Sequence, residues 1–211
     1  MFFDVDGTLV PGTSSSAFLA GFLGHREELT EAEDAYARGA LDNRRVSELD
    51  AAGWAGVPEK RVAGWLDELP LIAGIAETVA WCRRHGLVPF LATLAWSPVG
   101  GHLSERFGFH AFCGPRPETA GGRFTGRVAR HFDEYGKRDF ALAQARGLGL
   151  APGSCAAVGD SRSDLPLFAS VGLSVAFNAG TDARAAATVA VDGGDLREVI
   201  PALSRLVTGA R

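Results

Sequence analysis

Lysine is nearly missing from this chain: 211 residues contain only Lys60 and Lys137, and the remaining basic residues are arginines. Cysteine is scarce as well. Cys82, Cys113 and Cys155 are widely spaced and form no C-x-x-C pair, which excludes a disulfide framework and a structural zinc site. No apolar run approaches the roughly 18 residues that a membrane-spanning helix needs. The opening MFFDVDGTLV has neither a basic n-region nor a signal-type apolar stretch, so no export is expected and the cytoplasm is the expected compartment. Neither charge sign dominates, with 21 basic and 25 acidic residues and a formal net charge of −4. A broad attraction to nucleic acid or to an anionic membrane is therefore not expected. His25, His85, His102, His110 and His131 lack metal-binding spacing, and none is read as a ligand.

The remainder is ordinary globular composition, 46% hydrophobic and 22% charged, long enough for one core and a smaller insert. Short, unalternating apolar runs predict strands near 1–5, 87–93, 111–114, 155–159, 174–178 and 187–191. Helical patterns lie between them near 72–85, 99–108, 138–149, 163–170, 181–187 and 195–207. This alternation predicts an α/β fold with a doubly wound, mostly parallel sheet. Residues 14–69 break it, with several helical stretches and no strand. They read as a helical cap inserted into a core made of 1–13 and 70–211. Trp54 and Trp65 of that insert are eleven apart, a multiple of the helical period, and read as its core. The Gly-Gly pair in TAGGRFTGRVAR at 119–130 predicts a hairpin projecting from the core. The glycine-rich GLGLAPG at 147–153 ends a helix and precedes a strand, the reverse of a dinucleotide-binding turn.

Chemistry concentrates where predicted strands end. Asp4-Val5-Asp6-Gly7-Thr8 sets two carboxylates on one face of an extended segment just before a glycine turn. One acid can attack while the other manages protons. Gly159-Asp160-Ser161-Arg162-Ser163-Asp164 repeats the pattern late in the chain, and carboxylates of this kind suit a hard divalent cation. A helix capped by Ser163 would place Pro166 in its tolerant first turn and turn Asp160 and Asp164 toward the strand ends. Lys137 precedes a helical run, and a chain that prefers arginine keeps a compact ammonium there. Thr93 closes the run LVPFLAT and offers a hydroxyl at a strand end.

In this order, DVDGT, the hydroxyl of FLATL, Lys137 and GDSRSD resemble the four motifs of haloacid dehalogenase superfamily phosphohydrolases. GGRFTGRV, VGDSRSDLPLF and VAFNAG make the chain most similar to the phosphoserine phosphatase branch. The resemblance implies that Asp4 is a nucleophile forming an aspartyl-phosphate and that Asp6 is the general acid and base. It implies that Thr93 and Lys137 hold the phosphoryl oxygens. Mg²⁺ is the implied cofactor, bound by Asp4, the Asp6 backbone carbonyl and Asp160, with Asp164 orienting the metal shell or Lys137. Arg45 is the residue that this resemblance offers for a substrate carboxylate; a solvated helix arginine is the alternative.

The chain departs from that branch at Thr93-Leu94-Ala95, where Ser-Gly-Gly is usual, at Ser163, where Asn is usual, and at Pro11–Ser14, which lacks the acid that reads a substrate amine. The expected partner is thus a small phosphomonoester, phosphoserine or a related metabolite phosphate. Phosphoryl transfer to a sugar and a non-enzymatic phosphate-sensing module are the alternatives. The role of Trp96 is open.

Overall fold

The computed structural model describes residues 1–208. The last three residues of the 70–211 segment lie outside the described residues. Five strands form a parallel sheet in the order β2-β1-β5-β6-β7, namely β2 (Phe90–Leu91), β1 (Phe2–Phe3), β5 (Ala156–Gly159), β6 (Leu173–Phe177) and β7 (Val189–Val191). Alternate strand residues face two separate apolar clusters. Phe3, Leu91, Val158 and Val175 point to one side, and Phe2, Phe90, Ala157 and Ala176 to the other. Burial on both faces is why the strands lack a polar alternation. Helices α5 (Ile75–Arg84), α6 (Ser97–Phe107) and α10 (Ile200–Thr208) cover the first side through Val79, Val99 and Leu203. Helices α7 (Glu134–Gly147), α8 (Leu165–Phe168) and α9 (Thr181–Ala186) cover the second through Ala141, Leu167 and Ala183. The doubly wound α/β expectation holds.

The strand expected at 111–114 shrinks to a single bridge from Phe112 to Leu91, with Gly114-Pro115 ending the extended run. Between β1 and α5, the helices α1 (Ser15–Leu23), α2 (Arg26–Ala37), α3 (Asn43–Gly53) and α4 (Glu59–Leu66) fill the region read as helical. Ser14 starts α1 by accepting the Ala17 N–H, and Asp42 starts α3 by accepting that of Arg45. Strands β3 (Arg116–Ala120) and β4 (Arg123–Arg130) form the expected hairpin around Gly121-Gly122, whose φ values of 57° and 75° suit a tight hairpin turn.

That hairpin does not simply project from the core. It packs under the helical segment, exchanging backbone hydrogen bonds between Phe124 and Gly56 and Val57. Trp54 fills the seam, 5.7 Å from the Trp96 ring and 4.9 Å from that of Phe124. Trp54 therefore joins three parts of the molecule, whereas the half-buried Trp65 stacks on Phe22 at 4.9 Å. Among the described residues no helix is long and apolar enough to cross a membrane.

Candidate active site

Because β1 lies between β2 and β5, their carboxyl ends bring Asp4, Thr93 and Asp160 to one place, where open α/β sheets bind ligands. The Asp4 N–H bonds the Val158 carbonyl at 2.9 Å and extends the sheet by one residue. Its carboxylate accepts the Val5 N–H at Oδ1 (2.7 Å) and pairs with Lys137 Nζ at Oδ2 (3.0 Å). The chain then turns at Gly7, whose φ of +79° is left-handed. A Cβ there would fall 2.1 Å from Asp160 Oδ2, so glycine both makes the turn and admits the second carboxylate. Asp6 Oδ1 accepts the Ser15 N–H at 2.7 Å, at the start of α1. Burial pushes its pKa up to about 6, with the Ser15 bond pulling the other way.

The second acidic motif folds differently from expectation. Ser161, not Ser163, is the cap: its side chain and that of Asp164 form a reciprocal capping box around the turn Arg162–Asp164. Asp164 Oδ2 accepts the N–H groups of Asp160 (3.1 Å) and Ser161 (3.2 Å). Ser163 is thereby released to accept from Lys137 Nζ at 3.3 Å. Gly159 is also required, since a Cβ would sit 2.2 Å from Asp164 Cγ.

Lys137, in the first turn of α7, is 0% exposed. Its Nζ lies 2.6 Å from Asp164 Oδ1 and 3.0 Å from Asp4 Oδ2, so the ammonium is ion-paired with two carboxylates, and it donates to the Ser163 hydroxyl. Burial lowers its pKa, but Asp164 and Asp4 outweigh that penalty and hold it above the ordinary lysine value. Thr93 is fully buried at the end of β2 and accepts the Ala95 N–H at 3.0 Å, leaving its hydroxyl proton for an acceptor in the cavity.

Asp4, Asp160 and Asp164 present carboxylate oxygens within 4.8 Å of one another. Burial, reinforced by the neighbouring carboxylates, pushes the pKa of Asp160 up, and burial does the same to Asp164. Three carboxylates share one ammonium, so the cluster has an excess of negative charge and of oxygen donors. That combination fits Mg²⁺. The Asp6 carboxylate, held by Ser15, is not in this group.

A cavity of about 300 Å³ opens from these residues toward α2 and α3. Arg45 does not line it. Its side chain is 56% exposed and pairs with Glu48 at 3.3 Å, because the opposite face of α3, with Asn43, Val46, Ser47 and Asp50, is the one turned inward. Sequence reading missed Asp50, Glu33 and the attachment of Trp96. Asp50, 1% exposed, accepts from His25 Nε2 (2.8 Å) and Trp54 Nε1 (3.0 Å) at Oδ1, and from Trp96 Nε1 (2.6 Å) at Oδ2. Glu33 on α2 accepts the Ser14 hydroxyl at 2.6 Å. Burial pushes its pKa up to about 7, against the Ser14 bond and with help from Asp6, Asp50 and Asp34. The available signal was the spacing 43, 46, 47 and 50, a helical face that mixes polar with apolar residues.

The fold and this cluster of carboxylates around a buried lysine define a phosphohydrolase of the haloacid dehalogenase type. A family model for haloacid dehalogenase-like hydrolases matches residues 1–169, and the chain belongs to that family. Its relatives put it in the phosphoserine phosphatase branch, as a phosphatase. It is 28% identical over 205 residues to a phosphoserine phosphatase of Albidiferax ferrireducens, covering 94% of this chain and 86% of that one. It is 30% identical over 190 residues to that of Streptomyces coelicolor, covering 90% of this chain and 46% of the longer relative. A solved phosphoserine phosphatase, captured as an analogue of its phospho-aspartyl intermediate, superposes with a TM-score of 0.87 at 23% identity, over 95% of this chain and 96% of that one. At that identity the likeness speaks for the fold.

Proposed function

We propose that this phosphatase hydrolyses a small-molecule phosphomonoester through a phosphoryl-Asp4 intermediate, with residues 14–69 acting as a cap over the core of 1–13 and 70–211. The observation that carries the reading is the meeting of Asp4, Asp160 and Asp164 around Lys137, with Asp6 beside them on the Ser15 N–H. An Asp4 carboxylate oxygen attacks phosphorus, and the ester P–O bond breaks as Asp6 passes its proton to the leaving oxygen. Asp6, now ionised, takes a proton from water, whose oxygen attacks the phosphoryl group and frees Asp4. Lys137 and the Thr93 hydroxyl balance the phosphoryl oxygens. Asp4, Asp160 and the Asp6 backbone carbonyl would hold Mg²⁺, with Asp164 bracing the cluster; when bound, the ion offsets repulsion between the carboxylate and the phosphate dianion. The substrate class is phosphoserine or a related metabolite phosphate.

Phosphate release from p-nitrophenyl phosphate, measured with Mg²⁺ or with EDTA, tests this directly. Turnover is expected only with Mg²⁺, and Asp4→Asn is expected to reduce it by about 10⁴-fold or more. Undiminished turnover by Asp4→Asn would remove Asp4 from the mechanism. Mg²⁺ binding without release from any ester would favour phosphoryl transfer to an acceptor or a sensing role.

A further inference from the structure

The cavity beside the acidic cluster is lined by charge of one sign. Among the described residues, its charged lining side chains are Asp4, Asp6, Glu33, Asp50 and Asp160, all carboxylates. No arginine or lysine among the described residues lines it. The cations nearby are committed elsewhere: Lys137 is ion-paired with Asp4 and Asp164 and donates to Ser163, and Arg162 bonds the Tyr36 carbonyl and pairs with Glu134. A carboxylate on the substrate would enter this space without a cationic partner, and an unpaired charge in a half-closed cavity is costly.

The two carboxylates on the helical wall differ in what they can still accept. Both oxygens of Asp50 are occupied by ring N–H groups. Glu33 receives only the Ser14 hydroxyl, which leaves acceptor positions of its carboxylate open. Its place is informative, because Ser14 and Ser15 are consecutive: the Ser15 N–H holds Asp6 and the Ser14 hydroxyl holds Glu33. Asp6, the proposed general acid, and Glu33 are thus tied to neighbouring residues. Trp96 adds aromatic surface to the same cavity, which suits an ammonium, while the Tyr36 ring already carries the Arg162 guanidinium 4.6 Å from its centroid.

We propose that the leaving alcohol is a short amino alcohol bearing a protonated amine and no carboxylate, and that Glu33 is the residue that reads the amine. This rests on the phosphatase reading above and specifies its substrate. It also distinguishes this chain from the substrate named for its relatives, since phosphoserine carries the amine and a carboxylate together.

The test compares kcat/KM of the Mg²⁺-loaded protein for phosphoethanolamine, phosphoserine and n-propyl phosphate, the last replacing the ammonium by a methyl group. Phosphoethanolamine is expected to exceed each of the others by about tenfold or more, and Glu33→Gln to bring the phosphoethanolamine to n-propyl phosphate ratio within about twofold of one. Phosphoserine turned over as well as phosphoethanolamine would overturn the proposal, as would a ratio that Glu33→Gln leaves unchanged. If none of the three esters releases phosphate, the phosphatase reading fails. The amine assignment is then decided by calorimetric Kd values of phosphoethanolamine and phosphoserine for the Mg²⁺-loaded protein: about tenfold tighter binding of the former sustains it, and equal or weaker binding overturns it.

Discussion

The two walls of the cavity are built in opposite ways. The sheet wall takes Asp4, Thr93 and Asp160 from the ends of three adjacent strands: Asp4 is buried, paired with Lys137 and held by the Val5 N–H, and Asp160 accepts the Thr8 hydroxyl at 3.3 Å. The helical wall takes Glu33 and Asp50 from the inward faces of α2 and α3, and one of these carboxylates keeps open acceptor capacity. Phosphoryl chemistry is common to many substrates and needs a rigid constellation, which strand ends supply. Selection among alcohols needs a surface that can vary without disturbing that constellation, the part proposed for the helices packed above the sheet.

Breaking the sheet wall is expected to have the largest effect on stability. Lys137→Met leaves Asp4 and Asp164 buried without their ammonium and is expected to lower the unfolding free energy by about 3–5 kcal/mol, measured in urea. Added Mg²⁺ is expected to restore part of that loss, because it supplies the missing positive charge at the same carboxylates. No recovery would mean that the acidic cluster does not hold the ion.

The junction between the walls comes next. Asp50→Asn retains one oxygen where the carboxylate had two, so an indole N–H of Trp54 or Trp96 loses its acceptor. A loss of about 1–3 kcal/mol is expected, read from the thermal midpoint. An unchanged midpoint would show that the Trp96 contact does not fasten the helices to the core.

A smaller effect sharpens the helical wall. Burial, with a smaller contribution from Asp6, Asp50 and Asp34, pushes the Glu33 pKa up to about 7, so it ionises as pH rises through that range. The kcat/KM ratio of phosphoethanolamine to n-propyl phosphate is therefore expected to rise severalfold across that range. The ratio is taken per ester dianion, because the ammonium of phosphoethanolamine lowers its second phosphate ionisation below that of n-propyl phosphate. A flat ratio would contradict the assignment of Glu33. Least of all, Arg45→Ala is expected to change stability by no more than about 0.5 kcal/mol and to leave turnover intact, as for an exposed helix ion pair.

What could be read from the sequence follows the same division. DVDGT and GDSRSD are legible because each gathers its carboxylates within a few residues of one strand end, so local spacing carries the geometry. Lys137 stood out because lysine is so rare in the chain. The parallel sheet was legible from short unalternating runs, although the run at 111–114 is too short before Gly114-Pro115 to make more than one bridge. The cap serine was misplaced because Asp160–Asp164 holds two serines, and only Ser161 has an acid three residues on to complete the box. The helical wall was legible as helices but not as a lining. Which face of α3 turns inward depends on Trp54 meeting Trp96 and Phe124, contacts made across long sequence separations. Arg45 illustrates the cost: one position before Val46, it points to solvent.

The central claim is that Asp4 is the atom-bonding residue of the sheet wall. Acid quench of the Mg²⁺-loaded protein during turnover, followed by borohydride reduction and peptide mass spectrometry, tests it most directly. The account predicts reduction of residue 4 from aspartate to homoserine, dependent on substrate. Homoserine at another position, or steady turnover with no reduced residue, would contradict it.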